Sequence, residues 1–506
     1  MHIRLLNRVG WVSDSLTRYL KTKNIVNISK NCGFSLPLLP RKSRGDGSQK
    51  NANRSHPQPI SQKKAPTPSK PFYILGLVLL TFSQFAYSAA KIEHWQTPQG
   101  SRVYFVRTEG LPMVDIQAVF DAGSSSDGQQ FGLASLTADL LDTGAGKWNA
   151  DEIAQRFESV GAQFGAGSSI DMATVSLRTL TDKPLFDKAL ETMQVILTRP
   201  AFNETDFKRE KNRTLAGLKQ QEESPGELAS IAFYNALYGK HPYAHPVSGV
   251  TKTVSAFKVA DIRHFYQKYY VAANATIVIV GDISRQQAEQ TAEKLVAGLP
   301  VGKKAGELPD VSMPLKSTLQ HIEFPSTQTH VLVGLPGTYR KDPDYFNLYV
   351  GNHILGGSGL VSRLFEQIRE KRGLAYSASS VFIPLLKPGP FLVSLQTRND
   401  QTTQALQVLN QSLDDFIAKG PTEAELIAAK KNITGGFAMR FDTNKKLANY
   451  VAMIGFYDMP LDYLDTFQQK VEQVTVASIK DAFKRRVNPQ LFQTITVGKS
   501  ADKSAK

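Results

Sequence analysis

Arg369 and Tyr376 are the two residues whose types and spacing best suit chemistry at a carbonyl group. They lie seven residues apart in the segment Ser362 to Ser377, which reads SRLFEQIREKRGLAYS. A guanidinium offers several fixed N–H donors and stays charged at any working pH, and a tyrosine hydroxyl can donate to an oxyanion. One such donor lowers the barrier of an acyl-transfer reaction by about 3–4 kcal/mol. By type, the two side chains could therefore bind a carbonyl oxygen and stabilise the charge that develops on it.

A helix and the segment after it must position this pair. Apolar residues recur at helical spacing around Arg369: Leu364, Phe365 and Ile368. The pattern predicts a helix that ends before Gly373, a C-terminal cap, with Tyr376 on the next segment. A purely structural role also fits, in which Arg369 neutralises a nearby carboxylate and Tyr376 packs against a neighbouring strand. The carboxylates within reach are those of Glu366 and Glu370.

The chain contains two copies of one unit, about 218 residues apart. VSLRT at Val175 to Thr179 aligns with VSLQT at Val393 to Thr397, and TDFKREKNRTLAGL from Thr205 aligns with AELIAAKKNITGGF from Ala424. Helical patterns are predicted at 132–142, 150–160, 184–197, 203–221 and 226–238, and again at 343–355 and 361–372. Strands and helices come in blocks, which predicts an α+β fold with helices packed on one face of each sheet.

Composition divides the chain further. We predict domains at 91–300 and 316–499, a linker rich in Gly, Pro and Lys at 301–315, and a polar tail at 500–506. The net charge is +15, but residues 1–70 hold 14 Lys and Arg against 2 Asp and Glu, which leaves about +3 for the rest. A nearly neutral folded part gives no support for nucleic-acid binding.

The first 90 residues have the composition of an export signal. Residues 1–70 are predicted to be a disordered basic leader or to follow a start site placed too early. Residues 71–90 resemble a signal peptide cleaved after Ala90, because the apolar run is shorter than the ~20 residues of a spanning helix. We expect a periplasmic protein of a Gram-negative bacterium; retention of this segment would instead anchor the protein in the membrane, facing the periplasm. The only cysteine, Cys32, lies in the leader, so disulfides and thiolate chemistry are excluded from the mature chain.

The sequence REKRGLAY resembles the C-terminal signature of the pitrilysin/insulinase metallopeptidases, the inverzincins, and the resemblance covers about 400 residues. It implies two homologous domains joined by a hinge linker, each a mostly antiparallel sheet with helices packed on one face. It also implies that Arg369 and Tyr376 hold substrate opposite a zinc site. In the family that site is an H-x-x-E-H sequence in the other half of the chain.

This zinc sequence is missing. The family has G-x-A-H-F-L-E-H where this chain has GLASLTAD, so the metal positions are Ser135 and Asp139 and the general-base position is Ala138. The family's E-R-x-V-x-x-x-E corresponds to EKNRTLAG, in which Glu210 persists but the ligand position is Gly217. Catalytic zinc needs three protein donors, and only one of these positions could donate. We therefore predict no metal and no cofactor in this chain.

Other candidate sites are weaker. None of the seven histidines after residue 90 forms an H-x-x-E-H: His94, His241, His245, His264, His321, His330 and His353. His241 and His245 have the i, i+4 spacing of a helical metal site, but a proline follows each and disfavours helix, so packing is the better interpretation. His264 and His353 are expected on helix faces. GGSG at 356–359 is not followed by Gly-Lys-Ser/Thr, so it predicts a turn and not a phosphate loop.

These observations give one main functional hypothesis and two alternatives. The main one is a non-catalytic subunit of a periplasmic zinc metalloendopeptidase that forms a clam-like heterodimer with a homologous H-x-x-E-H subunit. That partner would supply the zinc, and Arg369 and Tyr376 would bind peptide or unfolded polypeptide substrates. The first alternative is a peptidase-derived scaffold or peptide-binding protein without a catalytic role. The second, an active peptidase with atypical ligands, is disfavoured because the general base is missing as well.

Overall fold

The computed structural model of the protein describes residues 91–500. The predicted leader, the signal peptide, Cys32 and positions 501–506 of the tail lie outside these residues. The described strands are β1 Glu93–Gln96, β2 Arg102–Arg107, β3 Met113–Phe120, β4 Gly144–Ala145, β5 Trp148–Asn149, β6 Gln163–Ser168, β7 Ala173–Leu180, β8 Ala275–Gly281, β9 Thr318–Glu323, β10 Gln328–Thr338, β11 Ala375–Phe382, β12 Gly389–Arg398 and β13 Gln493–Gly498.

Helices follow the strands in the same blocks in both halves. The α-helices of the N-terminal half are Leu133–Leu140, Ala150–Glu158, Lys183–Thr198, Glu204–Glu222, Pro225–Tyr238, Thr251–Ala256, Val259–Tyr269 and Arg285–Val296. Those of the C-terminal half are Tyr345–Asn352, Arg363–Phe365, Thr402–Lys419, Glu423–Gly435, Asn444–Phe456, Tyr463–Glu472 and Val476–Arg486. No helix within 91–500 combines the length and apolar composition needed to cross a bilayer.

The two large sheets have the same topology. The N-terminal sheet has the order β1-β2-β8-β3-β7-β6 and the C-terminal sheet the order β11-β12-β10-β13-β9. Apart from the extra strand β1, each strand of the first sheet has a counterpart in the second. The neighbours β2 and β8 are parallel, as are their counterparts β9 and β13, and the other neighbours are antiparallel. The predicted α+β fold with two homologous domains is confirmed.

One helix of each half packs on the sheet of the other half. The helix Pro225–Tyr238 packs on β10 and β13, with Phe233 against Ile495 and Val497. The helix Asn444–Phe456 packs in turn on β3 and β8 of the N-terminal sheet. Both faces of each sheet are thus covered, one by the half's own helices and the other by the exchanged helix. The sequence analysis did not predict this second cover.

A buried carboxylate joins the two halves at this interface. Asp171, in the turn between β6 and β7, accepts hydrogen bonds from the hydroxyls of Tyr243 (2.8 Å) and Tyr457 (2.9 Å). The backbone N–H of Leu386 donates to it as well, at 2.9 Å. Burial raises the pKa of Asp171, and these donors together with nearby Arg340 act against that rise. The donors come from both halves, so the network fixes how the two sheets meet.

The linker predicted at 301–315 contains neither helix nor strand, and it is held by both halves. The backbone N–H of Ala305 donates to Asn274 at 3.0 Å, and a ring nitrogen of His241 hydrogen-bonds the carbonyl of Pro309 at 3.0 Å. Asp310 forms an ion pair with Lys387 of the C-terminal half at 2.6 Å.

Candidate functional site

The segment that carries Arg369 is wound differently from the predicted helix. A short α-helical turn, Arg363–Phe365, passes into a π-helix over Glu366–Glu370. Ser362 caps the start by accepting from the N–H of Phe365 at 3.4 Å. Gly373 ends the segment with a φ of 61°, the left-handed conformation expected of a C-terminal glycine. A π-helix inserts one extra residue per turn and is found frequently at functional sites.

An ion pair anchors this segment to the body of the domain. Arg363 donates two hydrogen bonds of 2.6 Å to the carboxylate of Glu425, at the start of the helix Glu423–Gly435. Burial would raise the pKa of Glu425, but the hydrogen bonds from Arg363 and Thr422 outweigh it and lower the pKa to about 2. The pair is therefore charged at any physiological pH and holds the start of the segment in place.

Arg369 lies between two aromatic rings. Its guanidinium carbon is 4.9 Å from the ring centre of Phe365 and 4.4 Å from that of Tyr376. Its Nη1 also donates to the backbone carbonyl of Tyr376 at 3.1 Å. Cation–π contacts of this kind contribute about 0.5–1 kcal/mol each at exposed sites. The structure thus brings the two predicted residues together.

Tyr376 is exposed, which suits a group that meets a ligand. Its side chain is 62% exposed, and its hydroxyl makes no hydrogen bond to another residue in 91–500. It lies on β11, an edge strand, at the break in register between Ala375 and Ala378. Glu366, a proposed structural partner of Arg369, instead forms an ion pair with Lys371 at 2.8 Å. The geometry matches a presented pair better than a packed one.

The positions that the family resemblance assigns to the metal site lie in the N-terminal half on two helices that pack together. Ser135 and Ala138 are buried on the helix Leu133–Leu140, and Asp139 on the same helix is partly exposed. Gly217 lies on the helix Glu204–Glu222, where a Cβ atom would meet nothing within 4 Å.

Neighbouring residues do not make up the missing donors. The carboxylate of Glu210 is buried and forms ion pairs with Arg213 at 2.7 Å and with Arg209 at 3.4 Å. Across residues 91–500, no three His, Cys, Asp or Glu side chains are grouped so that they could hold a metal ion. Of the three metal positions only Asp139 offers a carboxylate, and Ser135 and Gly217 offer none of the nitrogen, sulfur or carboxylate donors that zinc needs, so the set does not fit zinc.

Asp127 was not singled out in the sequence, yet it positions the helix Leu133–Leu140. Its buried carboxylate accepts hydrogen bonds of 2.7 Å from the backbone N–H groups of Gly132 and Ala134. Burial raises its pKa to about 8, although these two donors act in the opposite direction. An aspartate five residues before a glycine that opens a helix is the signal that could have identified this cap.

The remaining candidates have structural surroundings. His245 is buried and stacks on Phe131 at 4.2 Å, and burial lowers its pKa. His264 is exposed on the helix Val259–Tyr269, and burial lowers the pKa of His353 to about 4. In GGSG, Gly356 packs so closely on Ser380 that a Cβ atom would collide with it.

Comparisons with known proteins find related sequences and related folds. Residues 102–251 match the family described as insulinase (peptidase family M16), and residues 256–433 match the peptidase M16 inactive domain. The chain is 27% identical over 439 residues to a Helicobacter pylori protein named non-peptidase homolog YmxG, across 85% of this chain and 99% of that protein. A solved structure from Pseudomonas fluorescens, described as a peptidase M16 inactive domain, matches with a TM-score of 0.79 and 37% identity, over 81% of this chain and 98% of that one. The periplasmic protease PqqL from Escherichia coli matches in fold, with a TM-score of 0.69 at 18% identity over 81% of this chain and 46% of PqqL.

Proposed function

The chain belongs to the M16 (insulinase) peptidase family, and we propose that it is the non-catalytic subunit of a periplasmic zinc metalloendopeptidase. On its own it is an inactive homologue of the family's peptidases. In the proposed complex a homologous subunit with an intact H-x-x-E-H supplies zinc and the general base. This chain contributes Arg369 and Tyr376, and the substrates are peptides or unfolded polypeptides.

One observation carries the proposal: Arg369 and Tyr376 lie together at the surface, while the metal positions lack two of three donors. Arg369 lies between two rings, and Tyr376 is exposed. From this arrangement Arg369 would hold a substrate carbonyl, and Tyr376 would donate to the oxyanion as it forms.

Reconstitution tests the proposal. The purified chain alone should contain far less than one zinc per molecule by elemental analysis and should not cleave peptides. Mixed with an H-x-x-E-H homologue from the same organism, it should restore cleavage. In that mixture Tyr376→Phe should lower kcat by about 10²–10³ and leave KM nearly unchanged, because one oxyanion donor is removed.

A matched variant separates this effect from general damage. Tyr269→Phe removes another hydroxyl, one that donates to the carbonyl of Ser126 at 3.3 Å in the N-terminal half. It should leave the reconstituted rate unchanged. A rate for Tyr376→Phe within twofold of the wild type would show that the oxyanion role is wrong.

The alternatives make different predictions for the same experiment. A scaffold or peptide-binding protein would bind its partner or peptides without restoring cleavage in any mixture. An active peptidase with atypical ligands would cleave peptides alone and lose this activity with a chelator. The name of the Helicobacter pylori relative supports a loss of peptidase activity, and the description of PqqL as periplasmic supports the proposed location. Fractionation of cells with and without residues 71–90 tests export and anchoring.

A further inference from the structure

A cleft lies between the two halves. None of the residues that line it belongs to the Arg369–Tyr376 site. The cleft has a volume of about 630 Å³, which is within the range of small-molecule and peptide pockets. His94 on β1 and Tyr104 on β2 line it from the N-terminal half. The C-terminal half contributes the segment after β10, the loop after the helix Asn444–Phe456 and the helix Tyr463–Glu472.

Aromatic rings from both halves line part of the cleft. His94 stacks on Tyr104 with 4.3 Å between ring centres. In the C-terminal half Tyr345 lies edge-on to Phe346 at 5.2 Å, and Phe346 lies 6.4 Å from Tyr463. Paired aromatic walls of this kind suit a flat or branched apolar group.

The carboxylates of the cleft are neutralised by partners. Asp458 forms an ion pair with Lys341 at 2.8 Å, and Asp342 forms one with Arg486. A cation that enters the cleft would therefore have to displace a positive group already bound to each acid.

One cation of the cleft lacks such a partner. Lys470 forms no ion pair with any residue in 91–500 and lies over the ring of Phe346 at 5.7 Å. Arg340 instead lies near the buried carboxylate of Asp171 and over the ring of Tyr457 at 5.0 Å. The cleft therefore has one unpaired positive charge beside an apolar surface.

We propose that this cleft binds a carboxylate attached to an apolar group, as found at the C-terminus of a peptide that ends in an aromatic residue. The carboxylate pairs with Lys470, and the terminal side chain packs between His94 and Phe346. This site is separate from the Arg369–Tyr376 pair and does not depend on the proposed catalytic partner. It would bind a peptide by its end, whatever the sequence elsewhere.

The test uses the full chain and four synthetic ligands in titration calorimetry: N-acetyl-Ala-Ala-Ala-Phe as the free acid, the same peptide as its C-terminal amide, its Asp-terminated analogue, and N-acetylphenylalanine. The free acid should bind, and the amide should bind at least about tenfold more weakly because the charge-assisted contact is lost. The Asp-terminated peptide should also bind more weakly, because it lacks the ring. Equal affinity for acid and amide, or no measurable binding of the acid, overturns the proposal.

N-acetylphenylalanine distinguishes the two sources of this chemistry. If it binds as tightly as the tetrapeptide, the ligand is a small aromatic carboxylate; if it binds much more weakly, the ligand is a peptide end. This comparison applies only if the free acid binds more tightly than the amide.

Variants locate the binding in the cleft. Lys470→Ala should weaken binding of the free acid about fivefold to tenfold and should not change binding of the amide. Lys484→Ala removes an exposed lysine of a neighbouring helix and should have no effect. Arg340 is left intact because it contacts Met453 and the ring of Tyr457 and supports the interface. Tyr345→Ala gives a second readout, because it should weaken acid and amide alike. Unchanged binding in both Lys470→Ala and Tyr345→Ala would place the ligand elsewhere and overturn the proposal.

Discussion

At one corner of the N-terminal sheet Phe157 and Phe164 stack with 5.0 Å between their ring centres. At the matching corner of the C-terminal sheet the guanidinium carbon of Arg369 lies 4.4 Å from the ring centre of Tyr376. Both pairs are seven residues apart, and in both the second residue lies on an edge strand, β6 or β11. The backbone arrangement is therefore similar at the two corners, but the pair of side chains is apolar in the N-terminal half and polar in the C-terminal half.

The glycine between the members of each pair adopts the same conformation. Gly161 follows Phe157 by four residues and has a φ of 63°; Gly373 follows Arg369 by four residues and has a φ of 61°. Exposure differs instead. Phe157 is buried and its counterpart Arg369 is half-buried, and Phe164 is half-buried whereas its counterpart Tyr376 is 62% exposed. The N-terminal corner closes a core, and the C-terminal corner presents side chains to solvent.

The backbone around Arg369 and Tyr376 is irregular, whereas the corresponding backbone in the N-terminal half is regular. In the N-terminal half the helix Ala150–Glu158 is a regular α-helix with a capping box, and β6 pairs with β7 without a break. In the C-terminal half the corresponding segment is π-helical over Glu366–Glu370, and β11 shifts register between Ala375 and Ala378. Extra residues in a helix or a strand re-aim side chains. The two copies of the unit therefore differ in backbone conformation at the corner that carries the polar pair in the C-terminal half.

The largest expected effect tests whether the N-terminal corner is structural. Phe157→Ala should lower the free energy of unfolding by about 3–5 kcal/mol, because it removes a buried ring and leaves a cavity. Arg369→Ala should lower it by only about 1 kcal/mol, because it removes two cation–π contacts at a partly exposed site. Denaturant titration of both variants measures the difference. Similar losses in the two would mean that Arg369 is also a packing residue, and the contrast between the corners would fail.

A second difference between the halves is the charge of the residue that follows a pair of corresponding strands, β3 and β10. Asp121 follows β3 in the N-terminal half, and Arg340 follows the counterpart strand β10. Burial, together with nearby Asp171, raises the pKa of Asp121 to about 6, while Lys304 and Arg102 act against the rise. Between about pH 4 and pH 6 the folded chain then holds a proton that the unfolded chain has lost, so stability falls as the pH rises through this window.

Asp121→Asn removes that dependence. At pH 8 the variant should gain up to about 3 kcal/mol relative to the wild type, and at pH 4 the two should be similar. Denaturation at both pH values checks the sign. A variant that is less stable at pH 8 would show that the charged carboxylate is well compensated by Lys304 and Arg102.

Much of the fold could be predicted from the sequence. The duplication, the order of strands and helices and the glycine before Tyr376 follow from the repeat and from apolar spacing. The apolar run of β8, ATIVIVG, also held a signal that went unused: all seven of its residues are buried, as expected for a strand covered on both faces. The sequence does not show which helix covers the second face of each sheet, because that helix belongs to the other half of the chain.

Other features depend on contacts between distant residues. Asp171 meets Tyr457 from 286 positions further along the chain, and no local pattern predicts such a pair. The π-helix at Glu366–Glu370 has residues that are as compatible with a regular helix, so its extra residue is set by packing. Periodicity predicts elements well and their irregularities poorly, and the presented pair lies at two of these irregularities.

The two corner glycines should respond alike in stability and differently in function. Gly161→Ala and Gly373→Ala each place a Cβ atom on a left-handed residue, which costs about 1–2 kcal/mol. In both cases a Cβ atom would meet nothing within 4 Å, so no clash adds to this cost. If the reconstituted complex is active, Gly373→Ala should also reduce its rate, because the turn sets Arg369 against Tyr376. Gly161→Ala serves as the control, and an equal loss of rate in both variants would mean that the loss reflects stability alone.

The smallest expected effect concerns Gly217, the position that the family resemblance assigns to a metal ligand. Gly217 lies inside the helix Glu204–Glu222, whereas its repeat counterpart Gly436 follows the end of the helix Glu423–Gly435. A glycine inside a helix costs about 0.5–1 kcal/mol relative to alanine, and the space around Gly217 is open. Gly217→Ala should therefore raise the free energy of unfolding by this amount, and Gly436→Ala should not, because its Cβ atom would lie 3.3 Å from the carbonyl oxygen of Asn432. A gain at Gly217 would show that this glycine weakens the helix Glu204–Glu222, whereas no gain would mean that its backbone freedom does not limit the stability of the helix.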